Sequence, residues 1–279
     1  MVKFFLIPLT LLAASVQAAD KDQYTVFNPV PKGQMRPFTT DRPDRAENPR
    51  TLDAGHFLIE TDLLNYTFQR SGGDTTSTLY ITDMNLKTGL TNHTDIQFVV
   101  GPFVSTKTKP KNGPSESKRG FADTIVRLKH NFFGNDDEST GAVALGIIPF
   151  IKLPTAGAGM SNGHSEGGLA LTMGLHLPNE WYGEFTVDGY HLRKADDRGW
   201  QTDQSIAASF SHAWSHKFTT FFEFYQQASD NKNQGTYSAL DLGAMYLLTP
   251  TLQLDAGCFF GLTEAAEDYN PFVGLSALY

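Results

Sequence analysis

The sequence predicts an all-β protein: a transmembrane, antiparallel, up-and-down β-barrel of about twelve strands, with short periplasmic turns and longer extracellular loops. Three observations carry this. The last strand steps back in twos from a terminal aromatic residue. Tyr279, Ala277, Leu275, Val273 and Pro271 share one face, and Leu278, Ser276, Gly274 and Phe272 share the other. From Gly55 onward, stretches of about 10–13 residues alternate apolar and polar, the length of a tilted membrane strand. The connections between them alternate between short and long, as such a barrel requires.

The N-terminus points to export. Lys3 precedes the apolar stretch from Phe4 to Ala14, and Val16-Gln17-Ala18 follows with small residues. Residues 1–18 are expected to be a cleaved signal peptide. No Cys lies near that site, which argues against a lipid anchor. No later segment reaches the roughly 18 apolar residues of a spanning helix. The longest apolar run, Ala142 to Ile151, is interrupted by Gly146 and Pro149. A membrane crossing must therefore use strands, and the expected location is the outer membrane of a Gram-negative bacterium.

The strands are expected at 55–68, 79–89, 95–105, 120–131, 141–153, 167–177, 181–193, 204–214, 218–227, 237–248, 252–262 and 269–279. Short connections fall at 90–94, 178–180, 215–217 and 249–251. Long ones fall at 69–78, 106–119, 154–166, 194–203, 228–236 and 263–268, and 132–140 is a long turn on the short side. An even strand number puts both ends of the barrel in the periplasm. In the sixth strand Leu169, Leu171, Met173, Leu175 and Leu177 alternate with Gly168, Ala170, Thr172, Gly174 and His176. In the first, Phe57, Ile59 and Leu63 lie on one face but Leu64, Tyr66 and Phe68 on the other, and a bulge near Leu63 reconciles them. Pro149 donates no ladder hydrogen bond and points to a second bulge. Aromatic residues near strand ends read as two interfacial girdles: Trp181, Tyr182, Trp214, Phe218 and Tyr246 at one rim, and Phe103, Tyr190, Tyr225, Tyr237 and Tyr269 at the other. A soluble sandwich also alternates, with its apolar face inward. Strand length, aromatic placement and the leader favour the membrane barrel.

The barrel domain is expected to span 54–279. Residues 19–53, rich in Pro, Arg and Asp, show no periodicity. They form either a periplasmic tail or a plug in which Arg36, Arg42, Arg45 and Arg50 meet an acidic wall, and the complementary charges favour the plug. The inward face carries the acids Glu60, Asp62, Asp95, Asp123, Glu184, Asp188, Glu223, Asp241 and Asp255, and the bases Arg127, Lys129 and Lys152. They line a water-filled pore with a weak cation preference, or they pair and close the barrel.

Other classes find little support. A formal charge of -8, without a basic cluster, speaks against nucleic-acid binding. The single cysteine, Cys258, excludes an intramolecular disulfide and a Cys-based zinc site. The histidines are scattered, so neither a metal nor a cofactor is expected. Gly157-Ala158-Gly159-Met160 lacks the Gly-Lys-Ser/Thr of a phosphate loop. A Ser-His hydrolase could draw only on His164-Ser165, Ser211-His212 or Ser215-His216, and neighbours on a strand point to opposite faces. The chain is therefore expected not to be an enzyme.

Several short motifs recur in a fixed order. Thr40-Asp41-Arg42-Pro43-Asp44 precedes Gly55-His56-Phe57-Leu58-Ile59-Glu60. Then come Leu86-Lys87-Thr88-Gly89-Leu90-Thr91, Gly120-Phe121-Ala122-Asp123 with Arg127-Leu128-Lys129, and Leu153-Pro154-Thr155. Leu254-Asp255-Ala256-Gly257, Gly261-Leu262-Thr263, Asp268 and Gly274-Leu275-Ser276 close the series. In these motifs the chain resembles the outer-membrane transporter family named for the MetA-pathway of phenol degradation, over nearly all of its mature length. The resemblance implies a barrel that passively admits small hydrophobic or aromatic compounds. It implies a substrate pathway that Asp41, Arg42, Asp44, Glu60, Asp123, Arg127, Lys129 and Asp255 line or organise. The expected partners are outer-membrane lipid, the solute, and the barrel-assembly machinery acting through the C-terminal strand. The alternatives are a structural barrel closed by paired charges and a surface lipase or esterase.

Overall fold

The computed structural model describes residues 21–157, 159–194, 198–231 and 234–279; the expected leader at 1–18 lies outside them. Among the described residues, twelve antiparallel strands close a barrel. Three of them are each broken into two segments. The strands are β1 (Phe57–Ser71), β2 (Asp74–Ile81 and Asp83–Thr91), β3 (Thr94–Val100 and Phe103–Lys109) and β4 (Glu116–Gly120 and Thr124–Phe133). They continue with β5 (Val143–Leu153), β6 (Glu166–Leu177), β7 (Trp181–Arg193) and β8 (Trp200–Ala213). The last four are β9 (Phe218–Ser229), β10 (Tyr237–Thr249), β11 (Leu252–Gly261) and β12 (Asn270–Leu278). Each strand pairs with the next, and β12 pairs with β1 through Glu60 opposite Ser276 and Asp62 opposite Gly274.

The burial pattern inverts that of a water-soluble sandwich. Large apolar side chains point outward: Leu171 is 48% exposed and Val187 56%. The polar and charged residues of the opposite parity are buried, with Glu223 and Asp241 both 0% exposed. An apolar exterior is stable against hydrocarbon, and backbone closure removes every edge that lipid could not hydrogen-bond.

The expected bulge in β1 is present, as the register shifts between Asp62 and Leu64 and leaves both Leu63 and Leu64 on the outside. Four expectations need correction. Pro149 sits opposite Leu169 without any shift of register; the irregularity on the other side of β5 falls between Asn131 and Phe133. Residues 69–78 form no long loop, and the loop expected at 106–119 shrinks to 110–115 because β3 and β4 stay paired out to Thr108 opposite Glu116. β1 and β2 extend beyond the apolar belt and meet at Gly72-Gly73, with Ser71 opposite Asp74. Both turn glycines have positive φ, 59° and 94°, which a Cβ disfavours. Tyr182, Tyr190, Tyr225 and Tyr237 belong to no girdle. They share strand parity with Glu184, Asp188, Glu223 and Asp241 and point into the lumen. Finally, β2, β3 and β4 are interrupted at neighbouring points, Thr82, Gly101-Pro102 and 121–123, where single strands were expected. Trp181, Trp214, Phe218, Tyr246, Phe103 and Tyr269 do face outward, each at least 37% exposed.

Candidate functional site

The lumen is crossed by the N-terminal segment, which enters and leaves at the short-turn rim. At that rim Lys21 pairs with Asp53 (3.4 Å) and with Asp136 of the β4–β5 connection (2.9 Å). Arg36 pairs with the same two acids, at 3.2 and 2.9 Å, and hydrogen-bonds Asn92 in the β2–β3 turn. From there the chain rises. Arg45 reaches Glu267 (2.9 Å), in the loop between β11 and β12 at the opposite rim. It then descends, and Arg50 pairs with Glu138 (2.9 Å) in the β4–β5 connection. The Thr51 amide donates to Asn135 (2.9 Å). His56, just before β1, sets its ring nitrogens against the carbonyl oxygens of Val30 (2.8 Å) and Tyr279 (3.1 Å).

Between those ends the segment is held from all sides. Arg42 pairs with Asp62 and Asp255, both at 2.7 Å. Arg45 pairs with Asp241 (3.0 Å) and donates to the Tyr237 hydroxyl (2.6 Å). The amides of Arg45 and Ala46 donate to Glu223, at 2.9 and 2.7 Å. Across the lumen, Asp41 accepts from Lys87 and Lys129, and its amide donates to Glu60 (2.8 Å). Glu47 pairs with Arg127, and its amide donates to the Thr186 hydroxyl (2.8 Å). Lys129 donates to the Asn48 carbonyl (2.7 Å), Asn131 to that of Pro49 (3.0 Å), and the Leu52 amide to Asp95 (3.0 Å).

Three wall glycines make room for this backbone. A Cβ at Gly274 would collide with the Arg42 guanidinium, and one at Gly89 with the Asp53 carbonyl. One at Gly146 would lie only 3.0 Å from the Pro49 carbonyl oxygen. Two of the segment's carboxylates, Asp41 and Asp44, differ electrostatically. Burial would raise the Asp41 carboxyl, but Lys129 and Lys87 overturn this and hold it well below the usual range. Burial pushes Asp44, which forms no ion pair among the described residues, up to about 7.

Apart from Asp123, which lies in the interruption of β4, the lumen candidates read from the sequence fall on an inward face or in the crossing segment, but they form separate groups. Glu184 lines a cavity of about 290 Å³ with Asp44, on the short-turn side of the segment. Asp62 and Arg127 line another of about 180 Å³ on the other side. Asp123, Lys152 and Glu166 form their own cluster at the outer mouth, at 3.1 and 2.7 Å. Asp188 accepts from the hydroxyls of Tyr190 (2.9 Å) and Ser205. Three charged residues of the lumen carry no individual signal in the sequence: Glu47, within the segment expected there, Lys87 and Glu267. Lys87 lies on β2, whose alternation could have placed it inward, but Glu47 and Glu267 lie outside any strand. The histidine of one hydrolase candidate, His212, packs on the outer face between Trp181, tilted at 4.8 Å, and Trp214, edge-on at 4.4 Å.

A family profile described as "Putative MetA-pathway of phenol degradation" matches residues 40–279. The chain belongs to that family. The match begins at Thr40, so it takes in the segment inside the lumen from Asp41 to Asp53 as well as the whole barrel. Among solved structures the chain is similar to an outer membrane channel from Pseudomonas putida F1. The TM-score is 0.65 at 11% identity, covering 86% of this chain and 100% of that one. Two weaker likenesses are to the NanC porin and to the beta domain of the Bordetella autotransporter BrkA. The porin gives TM-score 0.48 and 9% identity over 78% of this chain and 98% of that one. The autotransporter domain gives TM-score 0.49 and 12% identity over 80% and 99%. No match was found among curated proteins. At such identities the first likeness is one of fold, that of an outer-membrane β-barrel, and with the inside-out burial it supports an outer-membrane location.

Proposed function

We propose that the protein is a passive outer-membrane channel for small hydrophobic or aromatic molecules, with the N-terminal segment as a plug that divides the lumen. The observation that carries this reading is the set of ion pairs from Arg42, Arg45, Asp41 and Glu47 to the wall, which leaves a cavity on each side of the segment. The solute class rests on the family description and on the aromatic rings that face the lumen, among them Tyr225, Phe259 and Phe272. Export through a cleaved leader and insertion by the barrel-assembly machinery through β12 belong to the same reading.

The test is bilayer conductance together with uptake of aromatic solutes into proteoliposomes, for the full chain and for a chain lacking residues 21–50. Deletion is expected to raise conductance, and uptake of aromatic solutes should exceed that of equally sized sugars. Unchanged conductance would remove the plug. The second reading, a structural barrel closed by paired charges, is favoured by the burial of Lys129, Asp241 and Asp255, each at most 1% exposed. It would prevail if the full chain passed no solute.

A further inference from the structure

The tip of the segment sits in an aromatic box. The guanidinium carbon of Arg45 lies 4.4 Å from the ring centroid of Phe259, 4.7 Å from that of Tyr225 and 5.1 Å from that of Tyr237. The same guanidinium donates to Asp241 (3.0 Å) and Glu267 (2.9 Å). All five partners belong to β9, β10, β11 and the loop before β12, so the box is a property of the wall and Arg45 is its tenant. Three ring faces with two carboxylates form the arrangement that recognises an organic cation: the rings supply negative π faces and the acids take charge-assisted hydrogen bonds. A hydrated metal ion would gain less, because rings do not replace its oxygen ligands.

We propose that this box is a binding site for organic cations of the guanidinium or alkylammonium class, and that such cations compete with Arg45 for it. The site is reachable: the Arg45 side chain keeps 23% of its exposure. Above it, the Tyr225 hydroxyl donates to Gln227 (3.0 Å), which lines a cavity of about 450 Å³ with Asp203 and Glu166 at the outer mouth. Arg193 also lines this cavity and Glu166 pairs with Lys152, so Asp203 is the acid that a cation arriving from outside meets before the box. Asp241 is fully buried and lies directly opposite the equally buried Glu223 on β9, so two carboxyl groups sit side by side next to Arg45. With Arg45 removed, a buried carboxylate is left uncompensated and the demand for a cation grows. The assignment goes beyond the channel reading. It is measured as binding in detergent, so a barrel that conducts nothing would leave it standing.

The experiment is calorimetric titration of the full chain in detergent with methylguanidinium, and with methylurea as its neutral counterpart. Arg45→Ala vacates the box; Arg36→Ala loosens the segment at the rim but leaves the box filled. Arg45→Ala is expected to bind methylguanidinium about tenfold or more tightly than the parent or Arg36→Ala, and to ignore methylurea. Adding Phe259→Leu should cost about tenfold of that gain. Heat-modifiable gel mobility verifies that the barrel is folded, and Arg45→Gln replaces the alanine variant if it is not. Equal binding by the parent and the vacated variant, equal binding of methylurea, or indifference to Phe259→Leu would overturn the proposal.

Discussion

On the side of β2 and β4, the wall supplies cations and the crossing segment supplies acids: Lys87 and Lys129 meet Asp41, and Arg127 meets Glu47. On the side of β10, β11 and β1 the polarity is reversed. There the segment supplies Arg42 and Arg45, and the wall supplies Asp255, Asp62 and Asp241. β1 marks the border, because Glu60 joins the lysine cluster while Asp62, two residues on along the same face, pairs with Arg42. Asp41 and Arg42 are adjacent in the chain and read opposite walls. The difference teaches how an irregular segment is held in one register: a slip of one residue would face Arg42 with Lys87 and Lys129, and the like charges would repel it.

The sharpest way to break this comparison is Asp41→Lys, which sets a third ammonium between Lys87 and Lys129. Docking of the segment should weaken by about 3–5 kcal/mol or more, seen as trypsin cleavage between residues 36 and 50 in a folded barrel. Continued protection would mean that the lysine side does not hold the segment.

Acidity separates Asp41 from Asp44, two carboxylates of the segment. The docked Asp41 titrates below its free value of 3.8, so its contribution is complete above that pH and is lost as pH falls through the depressed pKa. The docked Asp44 titrates at about 7 against 3.8 when free, so its contribution is complete below 3.8 and is lost as pH rises to about 7. Docking should therefore be tightest in a narrow range about pH 4, where the Asp41 contribution is complete and that of Asp44 has not yet been lost. Asp44→Asn should abolish the weakening above that range, an effect on the order of 1–3 kcal/mol. Hydrogen exchange of the segment across pH 4 to 8 measures it, and a flat profile in the parent would exclude Asp44 as the titrating group.

Gly274→Ala tests the acidic side by shape, without altering charge. The new Cβ displaces the Arg42 guanidinium from Asp255 and should cost about 1–3 kcal/mol of docking while the barrel keeps its melting point. Equal loss of barrel stability would shift the role of Gly274 to the β1–β12 seam. The smallest effect is expected at the rim. The Glu138 side chain is 45% exposed, and Glu138→Gln should change docking by less than about 1 kcal/mol. A larger loss would make the rim as important as the two walls.

The barrel itself was open to reading because period-two alternation survives wherever one face meets lipid. β7 runs from Trp181 to Arg193, and the bulge in β1 is where Leu63 and Leu64 change faces. The reading failed where lipid imposes no pattern. Residues 69–78 lie beyond the apolar belt, so nothing in their alternation separates strand from loop. The misassigned tyrosines show a different weakness: an aromatic residue near a strand end suits a girdle by composition, and only its parity with Glu184, Asp188, Glu223 and Asp241 turns it inward.

The sequence by itself determined the strand number, the apolar outer face and the presence of opposite charges within and before the barrel. Tertiary structure alone decided which charge meets which. Asp41 and Lys129 are 88 residues apart, and Arg45 and Glu267 are 222 apart. No local rule connects them, because a segment without periodic structure takes its path from the walls around it, and those walls exist only once β12 has closed on β1.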